Sequence, residues 1–400
     1  MGEFPSKEYE LIRRAQSRLP VAGQSPYEVM IGDDAAVRIN NTVGERLIIT
    51  ADVSVENVHF SLDTMTFEEI GYKAMVTNLS DCAAMGATPD SAVVQLVFPV
   101  KRGGGGGSTG KIVNDNAVQN SIGNNVVDKN YAGNNYVDSN ESIEQIYAGF
   151  ARACGEWNFP VVGGDLSGGG AWVIGITLVG SVPPGSRVVR RSGIIDGDAL
   201  WVTGIPGQSA AGLAALKGRG RGKIPPRYQR FVNAHISPTP RINEGRAFAA
   251  CQSIHSMMDL SDGLSKDIAT LCFDNNMGFI FERGLEQRLS STITSAPSTV
   301  TSITHDMINL ADELGRDWRD WFYHGGEEYE LLISCDPSLD PSEIIAGIND
   351  INRVDPAHII RLGHFTDQTS KILIRNEDGT TAELPLLSWD HCNVSNKVKE

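Results

Sequence analysis

At 400 residues the chain exceeds the usual reach of one hydrophobic core, so two domains are expected. Its 41% hydrophobic and 21% charged residues are those of a folded soluble protein, and a net charge of −15 excludes the basic face that nucleic acid requires. Six cysteines with no C-x-x-C pair exclude a zinc or redox motif, and the charged opening residues exclude a signal-peptide core. The longest apolar stretch, 171–182, contains glycines and is too short for a membrane span, so a cytoplasmic protein without membrane contact is expected.

In chain order, residues 9–19 have the spacing of a short amphipathic helix, and 46–51 read as a buried strand with Asp52 at its C-terminal end. Helical spacing over 67–85 makes Ile70, Ala74, Leu79 and Ala83 an inner face and puts Asp81 near the end. A strand at 91–98 follows. From 103 to 140 five consecutive glycines give way to recurrent Asn, the composition of a mobile surface insertion. A helix over 143–156 leads to strands at 161–162 and 172–180, and Pro183-Pro184-Gly185 marks a linker between domains of 1–183 and 184–400.

The second half opens with a strand at 198–203, a glycine turn at 204–207 and a small-residue helix over 209–216. A basic, Pro-containing loop at 219–230 precedes a helix at 241–250. A strand at 257–260 feeds the Ser261-Asp262-Gly263 turn and a helix reaching Cys272, and 331–334 is a further strand. Strands and helices alternate throughout, so the class is α/β.

Five acidic breaks stand out: Gly32-Asp33-Asp34-Ala35, Thr50-Ala51-Asp52, Asn78-Leu79-Ser80-Asp81, Gly163-Gly164-Asp165 and Asp259-Leu260-Ser261-Asp262-Gly263. Singly, each has an ordinary explanation as a charged turn or helix cap. Together they gather oxygen ligands beside small residues, and paired carboxylates repel unless cations hold them. Mg²⁺ favours a few carboxylates plus substrate phosphates, so the series points to magnesium-dependent phosphoryl transfer. The stretch Gly105 to Lys111 imitates a P-loop, but Ile112 stands where Ser or Thr must hold Mg²⁺ and no apolar strand runs into it, so it is a linker. His59 reads equally as a half-buried strand-end histidine, Arg191 as solvated surface or a phosphate donor, Glu327 as a turn residue or a ligand contact, and Trp389 as packing or a stacking face.

The ordered series of those motifs, with Val58-His59-Phe60, Lys73-Ala74 and Gly325-Gly326-Glu327-Glu328-Tyr329-Glu330-Leu331, resembles the thiamine-monophosphate kinases of the aminoimidazole ribonucleotide synthetase superfamily. The resemblance implies an α/β (α+β two-domain) fold: an N-terminal mixed-sheet domain forming the interface of a homodimer, and a C-terminal α/β sandwich domain. It implies ATP-dependent phosphorylation of thiamine monophosphate with several Mg²⁺ ions. Asp34, Thr50, Ala51 (through its carbonyl), Asp52, Asp81, Asp165, Asp259 and Asp262 would hold the metals, with Asp34, Asp52, Asp81 and Asp259 catalytic. Tyr147, Gly164, Asp165, Arg191 and Ser261 would contact ATP; His59, Glu327 and Trp389 would contact the thiamine substrate. The chain departs from the family pattern at Ala51, which replaces a hydroxyl residue, at Leu166-Ser167, and at Glu328, which replaces Asp. A selenophosphate synthetase would want a reactive N-terminal cysteine, and the first here is Cys82. A purine-precursor ligase of the superfamily, or a degenerate nucleotide-binding protein, would also carry much of this acidic series.

Overall fold

The computed structural model describes residues 9, 27–29, 33–40, 45–100, 139–290, 298–348, 358–376 and 378–387. The helix expected over 9–19 (Tyr9 apart), Trp389, and the 103–140 stretch except its last two residues lie outside them.

Two mixed sheets organise the chain. The first has the order β1-β2-β3-β6-β4-β5, built from β1 (Tyr27–Val29), β2 (Ala36–Asn40), β3 (Glu45–Val55), β4 (Thr88–Pro99), β5 (Val161–Gly169) and β6 (Val173–Val182). Its neighbours are antiparallel except β4 and β5, which run parallel. Along β6 buried and half-buried residues alternate without a break, the pattern of a strand with one face on the core. The second sheet has the order β13-β12-β9-β11-β7-β10-β8. Its strands are β7 (Ala199–Val202), β8 (Ile254–Leu260), β9 (Gly278–Phe281), β10 (Glu330–Cys335), β11 (Ile360–Thr366), β12 (Ile372–Arg375) and β13 (Thr381–Glu383).

Helix α1 (Phe67–Ala84) lies where the two halves meet. It packs on β3, β6 and helix α2 (Ser139–Trp157) of the first half, and on β8 and helix α5 (Ile242–Ala249) of the second. A capping box starts it: Thr66 Oγ1 accepts from the Glu69 N–H, and Glu69 Oε2 accepts from the Thr66 N–H. Fourteen of its eighteen residues are buried, so it has no single inner face; a helix clothed on every side is a core helix. Glycines allow that crowding. A Cβ on Gly71 would stand 2.1 Å from the Ile146 carbonyl oxygen, and one on Gly245 2.1 Å from that of Ala83.

Two expected strand ends fall inside strands. β3 continues three residues past Asp52, and β5 runs through Gly163-Gly164-Asp165 to Gly169, so that segment is an edge strand paired with β4. The expected basic loop holds short 3-10 turns and then helix α4 (Gln229–Ile236). The remaining helices used below are α3 (Gln208–Arg219) and α6 (Leu264–Asn275).

Candidate active site

Three carboxylates from three separate elements converge. Asp34 precedes β2, Asp81 sits in the last turn of α1 and Asp259 lies on β8. Each offers an oxygen within 4.8 Å of the others. Their surroundings are dry: Asp34 and Asp259 are buried, and the Ser80 hydroxyl donates to Asp259 Oδ2 at 2.9 Å. Thr50 on β3 donates its hydroxyl to Asp81 Oδ2. Burial, with Asp34 next, pushes the Asp259 carboxyl up to about 8. Burial and then the charges of Asp52, Asp259 and Asp34 raise Asp81 well above the usual carboxylate range. Asp33 is pushed to about 7 by burial and by Asp34.

Among the described residues, one cation, Arg191, faces this group. Arg191 donates through Nε to Asp34 Oδ1 at 2.6 Å and pairs with the same oxygen through its terminal nitrogen, while its backbone N–H reaches Asp33. The other Asp34 oxygen, Oδ2, is buried without a hydrogen-bond partner. A set of hard oxygen donors, short of positive charge and with one oxygen unpartnered, has the chemistry of a divalent-cation site.

Beside it, the Ser261-Asp262-Gly263 turn is fixed from beneath. Asp267, fully buried in the first turn of α6, accepts the backbone N–H of all three residues at 3.1–3.2 Å. Asp262 is turned outward and pairs with Lys266 at 2.8 Å.

A second cluster surrounds Glu327. Its backbone is left-handed (φ 62°), and its N–H donates to the Ser261 carbonyl at 2.6 Å, tying the Gly325-Gly326 turn to the Asp259 turn. A Cβ on Gly326 would meet that carbonyl at 2.6 Å, so only glycine fits there. Lys73, buried on α1, pairs with Glu327 Oε2 at 3.0 Å, and His235 Nδ1 on α4 lies 3.7 Å from the same oxygen. Burial alone would raise the Glu327 carboxyl, but Lys73, through its charge and its hydrogen bond, together with His235 and His59 holds the group below its ordinary range. His235 is pushed down to about 3 by burial and by Lys73, so it is neutral near pH 7. His59, after β3, accepts the Val55 N–H on Nδ1 at 3.1 Å, which leaves its proton on Nε2.

The model for the N-terminal domain of AIR synthase related proteins matches residues 32–116 and 100–182. A thiamine-monophosphate kinase of Synechococcus elongatus is 30% identical over 311 residues, covering 76% of this chain and 77% of that protein. The chain belongs to the thiamine-monophosphate kinase family. The thiamine-monophosphate kinase of Bacillus subtilis is 27% identical over 393 residues, 96% of this chain and 99% of that protein. Among solved structures, AaThiL complexed with AMPPCP and TMP covers 96% of this chain and 95% of its own at a TM-score of 0.66 and 23% identity, which establishes a shared fold.

The residues that the thiamine-monophosphate kinase motifs single out fall in several places. Asp34, Asp81 and Asp259 form the trio; Asp52 is a charged neighbour of Asp81 and Asp259, and Thr50 is bonded to Asp81. Ala51 lies on the opposite, exposed face of β3, so the hydroxyl it lacks would have pointed away from Asp81. Asp165 lies outside the trio, on the exposed edge strand, where it accepts a hydrogen bond from Ser167 at 2.7 Å. Gly164 packs so closely on β4 that a Cβ would stand 2.0 Å from the Val94 carbonyl oxygen. Tyr147 is exposed on α2, edge-on to Phe150 at 5.2 Å. Arg191 holds Asp34, and Ser261 presents its carbonyl to Glu327. Glu328, read as a modest replacement for Asp, accepts the Gly207 and Ser209 N–H groups at 3.0 Å and so caps α3. Sequence reasoning gave no role to Ser80, Lys73, His235 or Asp267. Ser80 and Lys73 stand inside the motifs, and polar residues within an otherwise apolar helix were the available signal.

Proposed function

We propose that the chain transfers the γ-phosphoryl group of ATP to thiamine monophosphate, giving thiamine diphosphate and ADP. The observation that carries the reading is the meeting of Asp34, Asp81 and Asp259, three motif residues drawn from both halves, in one buried and charge-deficient cluster. Those three, with Asp52, Thr50, the Ala51 carbonyl, Asp165 and Asp262, would hold Mg²⁺, which when bound neutralises phosphate charge. The unpartnered Asp34 Oδ2 fits that role.

The acceptor is itself a phosphate and needs no strong base, so the chain's task is positioning. Asp267 fixes the Ser261 to Gly263 turn, Arg191 anchors the Asp33-Asp34 segment, and Glu327 keeps a carboxylate beside the space that a cationic thiazolium would enter. Tyr147, Gly164, Asp165, Arg191 and Ser261 are the proposed ATP contacts; His59, Glu327 and Trp389 are the proposed thiamine contacts. We assign residues 1–183 and 184–400 to the two domains, since among the described residues neither sheet draws strands from both. We also assign a homodimer and a cytoplasmic location, in keeping with the exposed apolar edge at Val162 and Leu166 and with a described chain in which no helix is long and apolar enough to cross a membrane.

Incubation with ATP, Mg²⁺ and thiamine monophosphate, followed by chromatographic detection of thiamine diphosphate, tests the reaction. Absence of product from a protein that still binds ATP would sink it and favour a degenerate nucleotide binder.

A further inference from the structure

Lys73 is a buried cation on α1, with 4% of its surface exposed, and neither the metal cluster nor the nucleotide explains it. Burying an ammonium is unfavourable unless a partner compensates it. Its partner is Glu327 Oε2 at 3.0 Å, and the geometry around the pair is built rather than incidental. Ser209 at the start of α3 and His235 on α4 complete the pocket: Ser209 Oγ lies 3.1 Å from His235 Nδ1, and Lys73 Nζ lies 3.5 Å from the same nitrogen. Ser209, His235 and Lys73 are all buried, whereas the Glu327 side chain remains 28% exposed. The ion pair therefore grips one carboxylate oxygen from inside and leaves the rest of the group facing outward. Its backbone is held in a left-handed conformation by the Ser261 carbonyl.

We propose that Lys73 is a positioning residue for substrate choice: its ion pair with Oε2 holds the Glu327 carboxylate aimed at the cationic ring of thiamine monophosphate. The inference rests on the kinase reading above and adds to it the group that makes Glu327 a usable anion. Glu327 is faced by Lys73 from α1, by His235 from α4 and by His59 from the segment after β3, with Tyr329 on its own segment. His235 is uncharged near neutral pH, so Lys73 is the principal positive charge on the inner side. Without it, the largest influence that opposes burial is gone and the Glu327 carboxyl is pushed upward. A neutral carboxyl offers a thiazolium no charge.

The test is calorimetric binding of thiamine monophosphate and of ATP, measured separately, to the wild-type, Lys73→Met, Glu327→Gln and doubly substituted proteins between pH 6 and 9. In Lys73→Met, the Kd for thiamine monophosphate should rise about tenfold or more at pH 7, the loss that follows when only about a tenth of the carboxyl groups are ionised, and recover towards pH 9. ATP affinity should stay within about twofold, because a positioning role reaches only the ring end. In the Glu327→Gln background, Lys73→Met should add almost nothing, and Lys73→Arg should restore most of the affinity. Equal losses for both ligands, a pH-independent loss, or an undiminished loss in the Glu327→Gln background would each make Lys73 structural packing and overturn the proposal. If Lys73→Met does not fold, Lys73→Gln, which can still donate to Oε2, replaces it with the same outcomes. Failure of the wild-type protein to form thiamine diphosphate would refute the reaction instead, and the binding comparison judges Lys73 independently of it.

Discussion

Replacing Asp259 with asparagine should make the metal-free protein more stable while destroying its turnover. The folded-state carboxyl sits near pH 8 and an unfolded one near 4, so between those values the folded chain holds a proton that the unfolded chain has released. Stability therefore falls as pH rises through that window, the reverse of a salt-bridged aspartate. Four units correspond to a ceiling of about 6 kcal/mol at 1.4 kcal/mol each. Asp34 and Asp81 compete for the same proton, which leaves about 2–3 kcal/mol to Asp259 itself. Asparagine keeps the shape and still offers Ser80 an acceptor, so little packing is lost. Urea unfolding in EDTA at pH 5 and pH 8 measures the effect: the two proteins should differ little at pH 5, and the variant should lead by about 2–3 kcal/mol at pH 8 with an unchanged m-value. Millimolar Mg²⁺ should reverse the order, because a cation bound to the folded state stabilises only the protein that can hold it. A variant less stable than wild type in EDTA at pH 8, or a gap independent of pH, would refute the account of the cluster as mutually repelling carboxylates.

Asp81→Asn should lower turnover by about two orders of magnitude or more with the fold intact, since one ligand charge beside several phosphates is lost; near-normal turnover across a Mg²⁺ titration would remove Asp81 from the metal set. Arg241 makes a two-pronged pair with buried Glu330 at 2.6 and 2.7 Å, and Arg241→Met should lower stability by about 3–5 kcal/mol, read by thermal unfolding. Adding Glu330→Leu should return much of that loss, because the destabilisation comes from the stranded carboxylate. Trp389→Ala should weaken thiamine monophosphate binding and leave ATP affinity nearly unchanged by calorimetry; equal losses would assign Trp389 to packing.

Many elements were legible in the sequence because their periods are clean, as in β6. Where the reading erred, a local signal met a long-range one. Gly163-Gly164-Asp165 looks like a turn by composition, yet pairing with β4 carries the strand through it, since the backbone hydrogen bonds of a parallel neighbour do not depend on side chains. The four residues expected on the inner face of α1 are buried, but so are ten others, because at least five elements crowd the helix, and nothing local announces how many neighbours a helix will have. The acidic motifs identified Asp34, Asp81 and Asp259 as candidates, but their meeting joins residues up to 225 positions apart. Lys73 and Asp267 stayed without roles because a charged residue on a helix reads as solvated until its surroundings are known.

The position of α1 has a consequence for the length of molecule the site accepts. Lys73 and Asp81 stand on the same rigid helix, eight residues apart, which is about 12 Å along its axis. One end of this rod borders the carboxylate cluster and the other borders Glu327, so on the proposed function the helix would act as a gauge between a phosphate-bearing end and a ring-bearing end. Being gripped on all sides, it cannot stretch or slide at one end alone. Inserting a single residue between them would turn one end by about 100° relative to the other and lengthen the gauge by about 1.5 Å. On that reading, the selection of a substrate of one span would be written into the covalent spacing of a helix.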